Sequence, residues 1–271
     1  MTEAPTSDGL WAEAGIDPVK VALPASPDQQ RRDGGGAAGY TLRAYRPASQ
    51  VTPTEAPVVV EDDPFASRTE DRAAGAGPEA AASGDPDGAE PFEEPDEADF
   101  LDDEDAGPAD EEVPLFLSHR GRLLLFGSPE SLVTFVRSDR EHDLRQLADW
   151  STMAKRVKPA DVAPTDDDTY ELDLVVENLR GGHDAWDLPL LISAGEFTRD
   201  IGYALRLEPV IMAMTPGSPL DELDETLRGA AGGGLGGMLA RRRLRRFGVQ
   251  QASLGWRNII GKISAATDWR D

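Results

Sequence analysis

Two stretches near the start of the chain alternate apolar and polar residues with a period of two: Val19-Lys-Val-Ala-Leu23 and Gly39-Tyr-Thr-Leu-Arg-Ala-Tyr-Arg46. That period sends every second side chain to one face, the pattern of half-buried strands, and Arg31-Arg-Asp-Gly-Gly-Gly36 between them predicts a hairpin. Two strands alone are marginal in water and need a further surface to lean on. Val113-Pro-Leu-Phe-Leu-Ser118 and Arg122-Leu-Leu-Leu-Phe126, separated by His119-Arg-Gly121, read as a second hairpin that supplies it.

Beyond Phe126 the apolar period lengthens to that of a helix. Ser128-Pro-Glu places an N-cap, a first-position proline and a first-turn carboxylate ahead of Leu132, Val133, Phe135 and Val136. A helix over His142–Arg156 would align Leu144, Leu147, Ala148 and Trp150 or Met153 on one face. Pro159–Thr169 reads as a polar turn, and Tyr170–Glu177 as a short strand entering a helical turn. Further helices are predicted at about Leu188–Leu205, Leu220–Ala230, Leu235–Phe247 and Gln250–Asp268, with Leu191, Phe197 and Ile201 in the first and Leu254, Ile259 and Ile263 in the last at helical spacing. The expected fold is α+β: a mostly helical domain packed on a small antiparallel sheet.

Composition changes this picture in one place. From residue 48 to 112 Pro, Ala, Gly, Asp and Glu dominate, and 93–105 is close to a pure charge run. Such a segment cannot bury enough apolar surface to offset ordering its backbone, which costs roughly 1–2 kcal/mol per residue. The organisation expected is therefore an N-terminal segment, 1–47, whose hairpin joins the main domain; a long disordered acidic insert, 48–112; and a helical α+β domain, 113–271. Residues 1–112 hold 28 acidic and 7 basic residues, so nearly all of the net charge of −24 sits there. That field opposes nucleic-acid binding by the first part but leaves the near-neutral second part free of the objection.

The chain has no cysteine, which excludes disulfides, thiolate metal sites and cysteine nucleophiles. His119, His142 and His183 lack metal-binding spacing, so neither a metal nor a cofactor is expected. The first residues carry no basic and apolar leader pattern, and no segment approaches the roughly 18–20 apolar residues of a spanning helix. A cytoplasmic location is expected.

Candidate chemistry is sparse. Arg241-Arg-Arg-Leu-Arg-Arg-Phe247 is the sharpest feature: on a helix Arg241, Arg242, Arg245 and Arg246 share a broad face, with Arg243 turned away. The cluster fits anion or nucleic-acid binding, and equally a solvated face bridged to carboxylates. Gly232–Gly237 before it has neither the G-K-[ST] of a P-loop nor a preceding strand, and reads as a hinge. Phe92, Phe100 and Leu101 in the acidic insert fit a partner-docking motif or a spacer with incidental aromatics. Asp166-Asp-Asp168 reads as a solvated turn. Ser118 and His119 are adjacent strand residues that point to opposite faces, so they form no catalytic pair. The tryptophans Trp150, Trp186, Trp256 and Trp269 read as core.

The stretch Phe126-Gly-Ser-Pro-Glu-Ser-Leu-Val-Thr-Phe-Val-Arg-Ser-Asp139, with His142-Asp-Leu144, Trp150, Tyr170-Glu-Leu-Asp-Leu-Val and Trp256-Arg-Asn-Ile-Ile-Gly-Lys262, resembles small acidic actinobacterial proteins often labelled "primosomal protein" or "DNA primase". The resemblance implies an accessory role beside replication proteins. The residues themselves favour a non-catalytic protein-interaction adaptor or regulator with another protein as partner. The alternative is a nucleic-acid-associated accessory factor using Arg241–Arg246.

Overall fold

The computed structural model describes residues 8–24, 37–55 and 110–271. The chain divides into one unit formed by Met1–Pro57 with Asp110–Asp271 and a second, Val58–Ala109, which lies outside the described residues.

The first unit is α+β. Its sheet has seven strands: β1 (Ile16–Leu23), β2 (Ala37–Pro47), β3 (Glu112–Phe116), β4 (Ser118–His119), β5 (Arg122–Phe126), β6 (Thr169–Glu171) and β7 (Thr267–Arg270). The main path runs β4-β5-β2-β1-β6, with β3 also on β2 and β7 also on β5. The predicted first hairpin is present, β1 pairing antiparallel with β2 from Ile16↔Ala44 to Leu23↔Ala37.

Three expectations for the sheet need correction. It is neither small nor wholly antiparallel, because β6 runs parallel to β1 and β7 parallel to β5. The second hairpin is only β4 with β5, turning through Arg120 and Gly121, both at positive φ (51° and 70°) as a two-residue primed turn requires. Val113–Phe116 instead pairs with β2 from Pro47↔Glu112 to Arg43↔Phe116. The folded unit also reaches further than the expected boundary at residue 48. Ala48 N–H donates to the Glu111 carbonyl, Thr52 exchanges hydrogen bonds with the Gln146 side chain, and the Thr54 hydroxyl accepts from Gly121 N–H.

Nine helices cover the two faces among the described residues: α1 (Asp8–Ala14), α2 (Pro129–Val136), α3 (Trp150–Arg156), α4 (Leu172–Arg180), α5 (Leu188–Ala204), α6 (Glu208–Ala213), α7 (Pro219–Ala231), α8 (Gly234–Leu244) and α9 (Val249–Ala265). The apolar run 123–126 shows why both faces are covered. Leu123 and Leu125 enter one core with Val19, Val21, Phe197 and Ile263, whereas Leu124 and Phe126 enter the other with Leu42, Leu132 and Trp150. Alternation is lost where a strand is buried on both sides, and a continuous apolar run results.

Local signals account for several helix ends. The Ser128 hydroxyl accepts from Ser131 N–H while Ser131 Oγ accepts from Ser128 N–H, a reciprocal cap with Pro129 in the first turn. Asp187 and Ser218 cap α5 and α7, each followed within two residues by proline. The single helix expected over His142–Arg156 is divided into a 3-10 turn, Asp143–Gln146, and α3, because Leu147 is extended (φ −70°, ψ 131°). The last helix stops at Ala265, and Thr267–Arg270 is strand rather than helix.

His142 is the acid-sensitive point of the second core. It is 6 % exposed, packs its ring 4.4 Å from that of Trp150, and neither ring nitrogen has a hydrogen-bond partner. Burial, reinforced by Arg145 and His119, pushes its pKa down to about 3, so the folded protein holds it neutral. An unfolded histidine takes up a proton near pH 6.5, so between these values the unfolded state binds more protons and stability falls with acidity. Chemical denaturation from pH 7 to pH 4 should show a loss of about 3 kcal/mol attributable to this residue. In His142→Phe that part of the slope disappears; an unchanged slope would assign it elsewhere.

Candidate functional site

The helical layer of α5–α9 leaves one markedly apolar groove open. Ser218 sets its geometry: the hydroxyl donates to the Ala213 carbonyl (2.8 Å) and accepts from Asp221 N–H (3.2 Å), locking the short α6 against the start of α7. Gly255 brings α9 close, since a Cβ there would stand 3.1 Å from the Leu220 methyl groups. Between these elements lies a hollow of about 300 Å³ lined by Met212, Leu220, Leu223, Phe247 and Ala252, with Ser218 and Gln251 as its polar groups. Met212 is 68 % exposed, and Leu254 on α9 is 56 % exposed. A second hollow of about 310 Å³ beside Val51, Val113 and Tyr203 carries Asp143, Arg206 and Glu208 in its lining and is the more polar of the two in chemistry.

The arginine cluster follows directly on in sequence. In the glycine run before it Gly233 and Gly234 adopt positive φ (71° and 65°), and α8 folds back on α7 with Gly229 and Ala240 in close approach. Arg241, Arg242, Arg245 and Arg246 are all exposed, and so is Arg243. Arg241 and Arg242 lie on α8, which ends at Leu244, while Arg245 is its C-cap, still in helical dihedrals (φ −64°, ψ −7°), and Arg246 follows in the turn. Arg245 lies 3.4 Å from Asp184, with both side chains exposed, a pair that contributes little. Phe92, Phe100 and Leu101 lie outside the described residues.

A charged cluster that the sequence pattern hides lies under α5. Arg43, on the face of β2 expected to be polar, has a side chain only 9 % exposed. Its guanidinium donates to Tyr170 Oη (2.7 Å) and Asp168 Oδ1 (2.8 Å) and stands 3.6 Å from Asp200 Oδ2, which accepts from Tyr45 Oη at 2.5 Å. Burial holds the Asp200 carboxyl above the usual range, against the effects of Tyr45 and Arg43, and raises both tyrosines, which stay neutral. Asp168 is thus a buried-side anchor and not the solvated turn residue expected. The neighbouring Asp224, 3 % exposed in its side chain, takes Arg199 and Arg228 together.

The arrangement offers no assembled catalytic set at Ser118. Its hydroxyl lies 2.6 Å from Asp143 Oδ2, but the buried His142 ring contacts neither through a hydrogen bond. His183 Nε2 is 2.9 Å from the Phe247 carbonyl, tying the α4–α5 connection to the turn after α8. The described residues contain no group of three His, Cys, Asp or Glu side chains placed to hold a metal. No helix among them is long and apolar enough to cross a membrane.

A mixed sheet covered on both faces, with an open apolar groove in its larger helical layer, defines the chain as an α+β domain built around that layer. The family model of the SatS C-terminal domain matches residues 106–260, more than half of the sequence, and the chain belongs to that family. A solved structure described as the crystal structure of the SatS C-terminal domain in complex with bromine is 21 % identical, with a TM-score of 0.55 and an alignment covering 97 % of each chain. At that identity it shows the fold alone. No curated protein matches the sequence. The replication labels carried by the resemblance have no counterpart in these matches.

The Arg43 cluster yields a test of its role in holding β2, β6 and α5 together. Replacing the arginine strands two carboxylates in partly buried positions, and Arg43→Met should lower stability by about 3 kcal/mol in urea denaturation. Arg43→Lys should recover only part of it, since one ammonium cannot reproduce the forked contacts to Tyr170 and Asp168. A loss below about 1 kcal/mol for Arg43→Met would reduce the cluster to a surface pair.

Proposed function

We propose that the protein is a non-catalytic protein-interaction module, acting in the cytoplasm, whose groove between α6, α7 and α9 takes a short apolar segment of another protein. The observation that carries this reading is the groove itself: a hollow of about 300 Å³ walled by Met212, Leu220, Leu223 and Phe247, with Met212 left largely in water at 68 % exposure. Concave apolar sites with a few polar groups are where partners gain most from leaving water, and methionine-bearing walls adapt to side chains of different shape. Of the two polar groups Gln251 suits the backbone of an incoming segment, since the Ser218 hydroxyl is engaged with Ala213 and Asp221.

A second reading follows from a separate observation. Arg241, Arg242 and Arg246 are exposed and, among the described residues, pair with no carboxylate, which favours an anionic partner and keeps a nucleic-acid-associated accessory role in play. That role requires duplex affinity that falls steeply with salt, with a log–log slope near −0.9 for each phosphate neutralised.

The groove is tested by photo-crosslinking. A photoreactive residue at the exposed Gln251 position should give adducts with partner proteins that are absent when the same group is placed at Asp139. Met212→Asp should weaken partner binding by about tenfold or more, as a charge in a desolvated apolar contact does. The melting temperature should stay nearly unchanged, because the side chain is exposed and surface substitutions usually act within about 0.5 kcal/mol. Adducts no richer from position 251 than from 139 would reject the groove as the binding site.

A further inference from the structure

The helix α8 has a face that no other part of the described structure covers. At about 100° per residue, Leu235, Met238 and Leu239 fall in one sector about 100° wide, with Arg242 inside it and Arg241 and Arg243 on its flanks. The opposite side of the helix is the packed one: Gly237 and Leu244 are buried, and Ala240 meets the Gly229 position of α7. The outward leucines and methionine are 81 %, 57 % and 65 % exposed at Leu235, Met238 and Leu239. Three large apolar side chains in a row are thus held in water beside a run of cations.

The charge around this face departs from that of the chain. Between Glu225 and Asp268 the sequence contains no acidic residue and eight basic ones, in a protein whose net charge is −24. Screening limits exposed charge effects to about 8 Å at physiological salt, and among the described residues the cluster's one ion pair is Arg245 with Asp184 at 3.4 Å, which leaves Arg241, Arg242, Arg243 and Arg246 to set the local field.

We propose that α8 is a peripheral docking face for an anionic lipid surface, with Leu235, Met238 and Leu239 entering the acyl boundary and Arg241, Arg242, Arg243, Arg245 and Arg246 holding headgroup phosphates. The combination of a bulky apolar stripe with flanking arginines is that of a helix lying in the membrane interface, and the long arginine stems reach the headgroups while their Cα atoms sit lower. Nucleic acid satisfies only half of this face, since a phosphate backbone would leave the three apolar side chains in water. The face is also convex, so a deformable apolar phase covers it where a rigid partner would need a matching groove.

The experiment is flotation of the purified full chain with vesicles of phosphatidylcholine alone and of phosphatidylcholine with phosphatidylglycerol in equal parts, at low and physiological salt, with duplex DNA as competitor. Binding at least tenfold tighter to the phosphatidylglycerol vesicles is expected. Leu235→Glu combined with Leu239→Glu should abolish it, and both positions are exposed enough for the fold to persist, which circular dichroism and melting verify. Changing Arg241, Arg242, Arg245 and Arg246 to Gln should weaken binding roughly a hundredfold or more, since each cation near an anionic surface contributes several-fold. Failure to float with phosphatidylglycerol vesicles would overturn the proposal, as would flotation unaffected by the leucine changes. Binding to DNA in place of vesicles, lost in the arginine variant, would overturn it in favour of the nucleic-acid reading.

Discussion

A sheet covered on both faces leaves a polar strand residue nowhere to point but into protein, and the layout of this domain follows from that constraint. Thr41, Arg43 and Tyr45 occupy the face of β2 opposite Leu42 and Ala44, and α5 lies over them. A lone guanidinium in that position would be several kcal/mol unfavourable, so the surroundings supply Asp168 from the approach to β6, Asp200 from α5 and two tyrosine hydroxyls. The same contacts fix where β6 and α5 sit, and through them the start of the helical layer.

Features that could meet a partner concentrate on that layer. The helices α1 to α3 seal the second core with Trp11, Leu132, Phe135, Trp150 and Met153, and α1 is pinned by the Trp11 indole N–H to the Asp161 carbonyl. On the other face, α6 and α8 are joined to the core mainly by one side each. Val210 and Leu244 are buried while Met212, Leu235, Met238 and Leu239 are exposed. Packing one side of a short helix and exposing the other is how a small domain keeps apolar groups available without weakening its core.

How much of this was legible depends on whether the determining neighbours are close in sequence. The β1–β2 hairpin, the Ser128 cap and the helices begun by Leu188 and Leu220 are written in local alternation, capping residues and helical spacing; the structure forms the two helices with ends shifted by one residue and starts the two strands three and two residues earlier than the alternation does. The strand β7 is not written locally. Its hydrogen bonds go to β5, and Trp269 fits only because Gly39 leaves room, a Cβ there meeting its ring at 2.8 Å. The helix α6 was missed although Glu208 and Pro209 form a recognisable start. Arg43 reads as one more outward polar residue because alternation says which residues share a face and nothing about what covers it. The groove is likewise a property of three helices crossing, and no local pattern in the sequence marks it.

The roots of the acidic segment carry one more consequence. Pro47 and Glu112 are cross-strand partners in β2 and β3, and the Ala48–Glu111 bond and the Ser49–Asp110 contacts extend the join outward. However many residues separate them, the two ends leave the sheet side by side. The join between β2 and β3 is therefore made by residues 43–49 and 110–116 alone, so the sheet at this edge is closed by its own backbone and does not rely on what lies between residues 55 and 110 to bring the two strands together.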